Sequence, residues 1–389
     1  MKRLPTWLEI NLDTLDQNLE RIQDHVGRDV AILLTVKADA YGHGAVQVAR
    51  AAADRVRMFG VATVDEGTEL REAAIKNEIL ILSPLLESEI PAVVRYALAI
   101  TLSSSETAYA VAREAPGATV DAHVEVDTGM GRTGVAEEDA FAEINKIATA
   151  PGVRLRGLYT HFPVSDSDAA FTREQIRRFL ALGERLRASG IDAGLVHSAN
   201  TAAVDAIAES RMNMIRPGLL AYGLHPVPGE SAAVKVTPIM SWKSRIARVR
   251  RFPAGRTISY ARSFVTARDS LIGVVPVGYG HGYPFHLSGR GSMLVAGVRV
   301  PIVGRVTMDM TMVDLTDVPN APVPGDEVVL VGTQGSETLT FHDIAAWGDT
   351  ICYEVMCGIS KRVPRTYFRR GKVETFKTLL GVLPNSVAV

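Results

Sequence analysis

Cysteine is nearly absent, with two residues in a chain of 389. That excludes a disulfide framework. Cys352 and Cys357 lie an odd number of positions apart in TICYEVMCGI, so on a strand they face opposite sides and read as reduced, buried and inert. An excess of charge is missing too, since 42 Lys+Arg against 43 Asp+Glu leave a formal net charge of −1. With no long run of one sign, neither a nucleic-acid track nor a membrane-surface patch is indicated. No apolar run reaches the roughly 18 residues read as a membrane span, and the start MKRLPTWLEINLDTL has no apolar core behind its basic residues. The chain is expected to be cytoplasmic, with a small molecule as its partner. The histidines form no metal-ligand pattern.

What is present is a composition of 47% hydrophobic and 22% charged residues, ordinary for a folded chain long enough for two domains. From about residue 13 to 230, short apolar runs alternate with amphipathic segments, the signature of repeated βα units. The runs are VAILLTVKA, RMFGVAT, EILILSP, LAITLSS, VDAHVEV, RLRGLYTHF, GLVHSAN and MIRPGLLAYG. Eight of them predict a (β/α)8 barrel over residues 12–232. Helical spacing then gives way to short β-branched runs broken by Gly, Pro and Asp, such as SLIGVVPVGYG and GDEVVLVG. A mainly β domain is expected from residues 233–389, joined by residues 1–11.

In a barrel of this kind the active face lies at the C-terminal strand ends. Those ends collect Lys37, the segment Asp127 to Arg132, His161, the segment His197 to Thr201, and the segment Arg216 to Gly218. A lysine at an apolar strand end has its ammonium disfavoured and suits a Schiff base with an aldehyde such as that of pyridoxal phosphate. The alternative is a stem that snorkels to water. A phosphate needs backbone N–H groups at helix starts or glycine turns, and Asn200 with Thr201 and Gly218 with Leu219 offer both at the last two strands.

Ten blocks in order carry a family resemblance: VKADAYGHG, VDTGMGRTG, YTHFPVSD, HSANTAA, IRPGLLAYG, ISYARSF, VGYGHGYP, GRVTMDMTMVD, GDEVVLVG and YEVMCGISKRVPR. In these the chain resembles the alanine racemases, pyridoxal 5′-phosphate enzymes with a barrel followed by a β domain. The resemblance implies a two-base reaction, with Lys37 holding the cofactor and acting on one face of the substrate Cα and Tyr260 acting on the other. It assigns His161 and Arg216 to a hydrogen-bond chain behind Tyr260, with Arg216 facing the pyridine nitrogen. Tyr41, Asn200, Thr201, Gly218, Leu219 and Tyr353 match the cofactor-binding positions. Arg132 and the Met308 N–H match the carboxylate site, and Tyr279 and Tyr283 match residues near the entrance. It further implies a homodimer in which Tyr260 and Met308 come from the second copy, and a product, D-alanine, that is a cell-wall precursor.

Three positions depart from the family pattern. Many members carry a carbamylated lysine two residues before DTGM, where this chain has Glu125; its charge is expected to pair with Arg132 directly or through water. His281 replaces the usual aspartate of GYADGY, and Thr307 the usual cysteine before Met308, which puts the approach corridor and substrate choice in question. His43 is left without a role. The rival readings are a racemase of the same build for serine or another amino acid, a barrel-type decarboxylase, and a non-catalytic pyridoxal-phosphate carrier related to the barrel alone.

Overall fold

The computed structural model describes residues 4–227 and 232–383. Two compact units divide the chain after Thr14 and after Thr237, with Tyr41–Gly44 grouping with the terminal segments. The terminal residues that the sequence assigns to the β domain, 1–3 and 384–389, lie outside the described residues.

After an N-terminal strand β1 (Thr6–Asn11), the larger unit supplies β2 (Ala31–Thr35), β3 (Met58–Val61), β4 (Glu78–Ile81), β5 (Ala99–Leu102) and β6 (Val120–Asp127). It continues with a two-residue β7 (Val135–Ala136), then β8 (Val153–Tyr159), β9 (Leu195–His197) and β10 (Met214–Ile215). Parallel pairing runs from β2 through β3, β4, β5, β6, β8 and β9 to β10, which pairs back onto β2. Eight strands therefore close into a barrel; β7 adds only to the end of β6. Runs such as AILLT, MFGV and AITL, apolar without alternation, form strands buried on both faces, as a ring wrapped in helices demands.

Four of the turns leading from strands to helices end on side-chain caps. Thr63, Ser104, Asp168 and Asn200 each accept a backbone N–H from the first turn of the following helix. Each such cap stabilises its helix by about 1 kcal/mol and fixes where the chain leaves the barrel mouth. Leu33, Met58, Leu80, Ala99 and Met214 form one buried cluster. They come from five strands spanning half the ring, so they meet in the barrel interior and form an apolar layer there.

In the smaller unit β1 lies between strand Met240–Arg245, antiparallel, and strand Arg365–Arg369, parallel. The expected β character holds over most of this unit, but helices Phe341–Gly348 and Cys352–Cys357 interrupt it. The cysteine reading is corrected here. Both residues sit on a helix, neither is in a disulfide, and only Cys352 is buried. The buried Cys352, Val355 and Met356 follow a helical period that so short a segment conceals. Burial pushes the Cys352 thiol up to about 11. Among the described residues no helix is long and apolar enough to cross a membrane.

Candidate active site

Lys37 stands half-buried just beyond β2. The next four residues, Ala38, Asp39, Ala40 and Tyr41, all adopt left-handed conformations with φ of 53, 52, 54 and 51°. Each costs an L-residue about 1–2 kcal/mol, so the turn persists only because its surroundings hold it. Glu66 is one holder: its carboxylate accepts the Ala38 N–H at 2.7 Å and the Ala62 N–H at 2.7 Å, tying the ends of β2 and β3 together. Asp39 is another, accepting the Ala45 N–H at 2.8 Å.

Across the mouth, β9 and β10 bring the predicted anion site together. Asn200 caps helix Thr201–Ala206, accepts from the Ser165 hydroxyl at 2.7 Å and donates to the Phe162 carbonyl at 3.3 Å. The Thr201 hydroxyl accepts the Gly218 N–H at 3.0 Å, joining the two strand ends. Gly218 and Leu219 are buried beside it.

Arg216 is buried in the barrel without a carboxylate partner among the described residues. One terminal nitrogen donates to His197 Nδ1 at 2.8 Å; the other faces Thr160 O at 2.9 Å, Ser198 O at 3.2 Å and His161 Nδ1 at 3.3 Å. The Tyr159 ring lies 5.0 Å below the guanidinium and stacks on His197 at 4.8 Å. Burial lowers the Arg216 pKa to about 10, which leaves it cationic near neutrality. Burial, then the charges of Arg216, Arg132 and Lys37, lowers His161 to about 3. His161 is therefore a neutral imidazole with several cations close enough to act on it.

The loop carrying Arg132 is shaped by Asp127, whose carboxylate accepts the N–H groups of Gly129, Met130 and Gly131 at 2.8, 2.7 and 2.8 Å. Arg132 itself is exposed. The expected direct pair between Glu125 and Arg132 is absent. Glu125 is buried and accepts instead from the Thr133 hydroxyl at 2.7 Å, a donor its short arm reaches from the strand.

In the smaller unit, Tyr41 and Tyr353 come into ring contact, centroids 5.8 Å apart. Burial, then Tyr353 and Cys357, pushes the Tyr41 phenol upward, so it stays a neutral hydroxyl. Gly42 follows in a left-handed conformation where a Cβ would lie 2.3 Å from the Met356 carbonyl oxygen, which only glycine tolerates. His43 is buried, with Nδ1 3.0 Å from Tyr41 O, and its own carbonyl accepts from the Tyr367 hydroxyl.

Tyr260 sits on a short hairpin turn between strands Thr257–Ile258 and Phe264–Val265 and is 70% exposed. Ser259 anchors this turn by accepting the Arg305 N–H at 2.9 Å. Met308 is 54% exposed; its carbonyl accepts the Gly280 N–H at 2.8 Å while its own N–H enters none of the hydrogen bonds among the described residues. Thr307, in place of the usual cysteine, closes that turn by donating to Met310 O. Tyr279 is half-exposed, edge-on to Phe285. Tyr283 does not share its setting. It is fully buried and packs edge-on against Trp242, because the turn after Gly282 directs the chain inward. His281 also turns inward, its Nδ1 accepting the Gly278 N–H, so its side chain closes its own turn.

Sequence reasoning did not single out Glu66, His123 or Tyr159. His123 had a signal: in VDAHVEVD on β6 the alternation puts Asp121, His123, Glu125 and Asp127 on one side of the strand and Val120, Ala122, Val124 and Val126 on the other. Among the described residues no group of histidine, cysteine and carboxylate side chains could hold a metal.

The fold and the residues at its mouth fit one class of protein, a (β/α)8-barrel enzyme that holds a phosphorylated carbonyl cofactor. Pyridoxal 5′-phosphate fits the donors present: an amine at Lys37, the helix start and glycine turn at Thr201 and Gly218, and a donor-only cation in Arg216.

Comparison with known proteins gives the particular family. Residues 10–226 match the family model described as alanine racemase, N-terminal domain, and residues 239–367 that of alanine racemase, C-terminal domain. An alanine racemase of Halothermothrix orenii is 41% identical over 367 residues, covering 93% of this chain and 97% of the relative. Alanine racemase 2 of Caldanaerobacter subterraneus is 39% identical, covering 97% and 98%. The crystal structure of alanine racemase from Bacillus anthracis with bound L-Ala-P superposes with a TM-score of 0.90 at 32% identity, covering 99% of each chain. The chain belongs to the alanine racemase family, and thereby to the isomerases that depend on pyridoxal 5′-phosphate.

Proposed function

We propose that this chain interconverts L- and D-alanine, with Lys37 and Tyr260 as bases on opposite faces of Cα. Racemisation requires a proton taken from one face and another delivered to the other, and one group cannot do both without turning the substrate over. Bound pyridoxal 5′-phosphate supplies the electron sink that makes the Cα proton removable. Lys37 anchors that cofactor and moves a proton at Nζ; Tyr260 moves one at its phenolic oxygen. Asn200, Thr201, Gly218 and Leu219 are assigned to the phosphate, together with Tyr41 and Tyr353. Arg132 and the Met308 N–H are assigned to the substrate carboxylate, the first supplying charge and the second direction. Tyr279 is assigned to the entrance, and Glu125 supports the Arg132 loop through Thr133.

Arg216 carries the reading. An acid beside the ring nitrogen would strengthen the electron sink and invite side reactions; a guanidinium donates hydrogen bonds but keeps its protons, so it leaves that nitrogen unprotonated. That favours racemisation over decarboxylation. The exposure of Tyr260 and Met308 supports their delivery to a second copy in a homodimer. The cytoplasmic setting rests on the family likeness.

The test is loss of optical rotation with L-alanine, L-serine and L-lysine after reconstitution with the cofactor. Alanine is expected to turn over fastest. Faster turnover of serine would change the substrate, and carbon dioxide release without racemisation would change the reaction.

A further inference from the structure

Behind Arg216 the barrel contains a second imidazole that no role above uses. His123 is fully buried on β6, with Nδ1 2.8 Å from His197 Nε2. Its seat is built for it. At Gly157, directly across on β8, a Cβ would lie 2.1 Å from His123 Nδ1 and 2.4 Å from Cε1, so any other residue would expel the ring. Two residues further along β8, Tyr159 covers His197, and its hydroxyl is 3.0 Å from that of Thr101, which donates to Ile81 O. One strand thus makes room for the first imidazole and clamps the second.

The protons of this row have a single arrangement. A guanidinium only donates, so His197 Nδ1 must present a lone pair to Arg216. Burial, then the charge of Arg216, holds His197 neutral, which puts its proton on Nε2. That N–H points at His123 Nδ1, which must accept. Burial keeps His123 neutral too, lowered to about 3, so its proton lies on Nε2, where it has no partner among the described residues. Without an acceptor at His123, the His197 proton would be stranded in a dry interior. Its other position, Nδ1, sets donor against donor at Arg216 and turns the guanidinium away.

We propose that His123 is a positioning residue for the racemase reaction: it fixes the tautomer of His197 and, through it, the rotation of the Arg216 guanidinium in the barrel mouth. The proposal rests on the cofactor-facing role of Arg216, but the tautomer it requires can be read independently.

Three variants and one spectrum test it, all on the cofactor-loaded protein. His123→Phe keeps the bulk and loses the acceptor. His123→Asn keeps an acceptor where Nδ1 stood. Gly157→Ala keeps every polar group and takes away the seat. His123→Phe and Gly157→Ala are expected to lower kcat roughly ten- to a hundredfold with the alanine KM within about twofold, while His123→Asn recovers most of the loss. In 15N-histidine spectra the unmodified protein should show His197 protonated at Nε2, coupled through its hydrogen bond to His123 Nδ1; the coupling should vanish in His123→Phe. His197 protonated at Nδ1 would overturn the proposal. So would equal losses of kcat in the Phe and Asn variants, or an unchanged kcat in a folded His123→Phe. A correct tautomer in a protein that racemises no amino acid would sink the functional reading while leaving the tautomer assignment standing.

Discussion

Glu66 accepts the backbone N–H of Ala38, the residue after Lys37, at 2.7 Å and spends its second oxygen on Ala62. A carboxylate at the start of helix Val64–Glu72 thereby holds the left-handed turn that aims the lysine. Glu66→Ala leaves two backbone donors without this acceptor and is expected to cost about 2 kcal/mol of stability and to weaken cofactor retention. Thermal melts and the absorbance of bound pyridoxal phosphate after dialysis check both; full retention would show that the turn holds without Glu66.

Asp127 has a similar task beside Arg132. Its three backbone bonds curl the segment 127–131 so that the arginine follows from a fixed base. Asp127→Ala should raise the alanine KM by about tenfold and change kcat much less, since it loosens a binding group and leaves the bases in place. A fall confined to kcat would place Asp127 elsewhere in the reaction.

Three buried imidazoles predict how stability depends on pH. His123 and His161 are lowered to about 3, and His197 lies well below its usual value, with burial the largest cause in each case. Below an unfolded value of about 6.5, the unfolded chain takes up protons that the native chain refuses, so stability falls as pH drops through that value, by up to about 1.4 kcal/mol per pH unit per histidine. Above neutrality the three contribute no slope. Urea midpoints at pH 7.5, 6.5 and 5.5, mostly above the carboxylate range, should decline progressively. A flat series would contradict the neutral assignments.

Site sharing between copies has a complementation test. Lys37→Ala and Tyr260→Phe should each be inactive alone as a homodimer. If Tyr260 serves the second copy, reassembling an equal mixture gives hybrids with one intact site each, and about a quarter of the unmodified activity returns. No recovery would assign both residues to one chain.

Much of this was legible in the sequence. All eight barrel strands were visible as short runs rich in apolar residues, most plainly those such as AILLT, MFGV and AITL that are buried on both faces. Residues at strand ends were legible for the same reason: a lysine or arginine following an apolar run stands out. Helix Cys352–Cys357 was not, since six residues hold less than two helical turns and its cysteines fit a strand equally well. The family match sets Tyr279 and Tyr283 together near the entrance, but the left-handed turn at Gly282 separates them and leaves Tyr283 fully buried. The family position suggests a charge partner for Glu125 in Arg132, and the structure shows no direct pair because the nearer Thr133 hydroxyl donates to one of its oxygens. The His123 seat was invisible because it depends on what residue 157 lacks, across a strand pairing that no local pattern encodes.

Strand β1 has a consequence for synthesis. Its partners are Met240–Arg245 and Arg365–Arg369, so Thr6 pairs with Ser244 only after more than half the chain has been made. At cellular translation rates that is a delay on the order of ten seconds or more, during which every barrel strand has already emerged. Strand β1 is thus seated only after the barrel strands that follow it in the chain have been made, and its second neighbour, Arg365–Arg369, arrives later still.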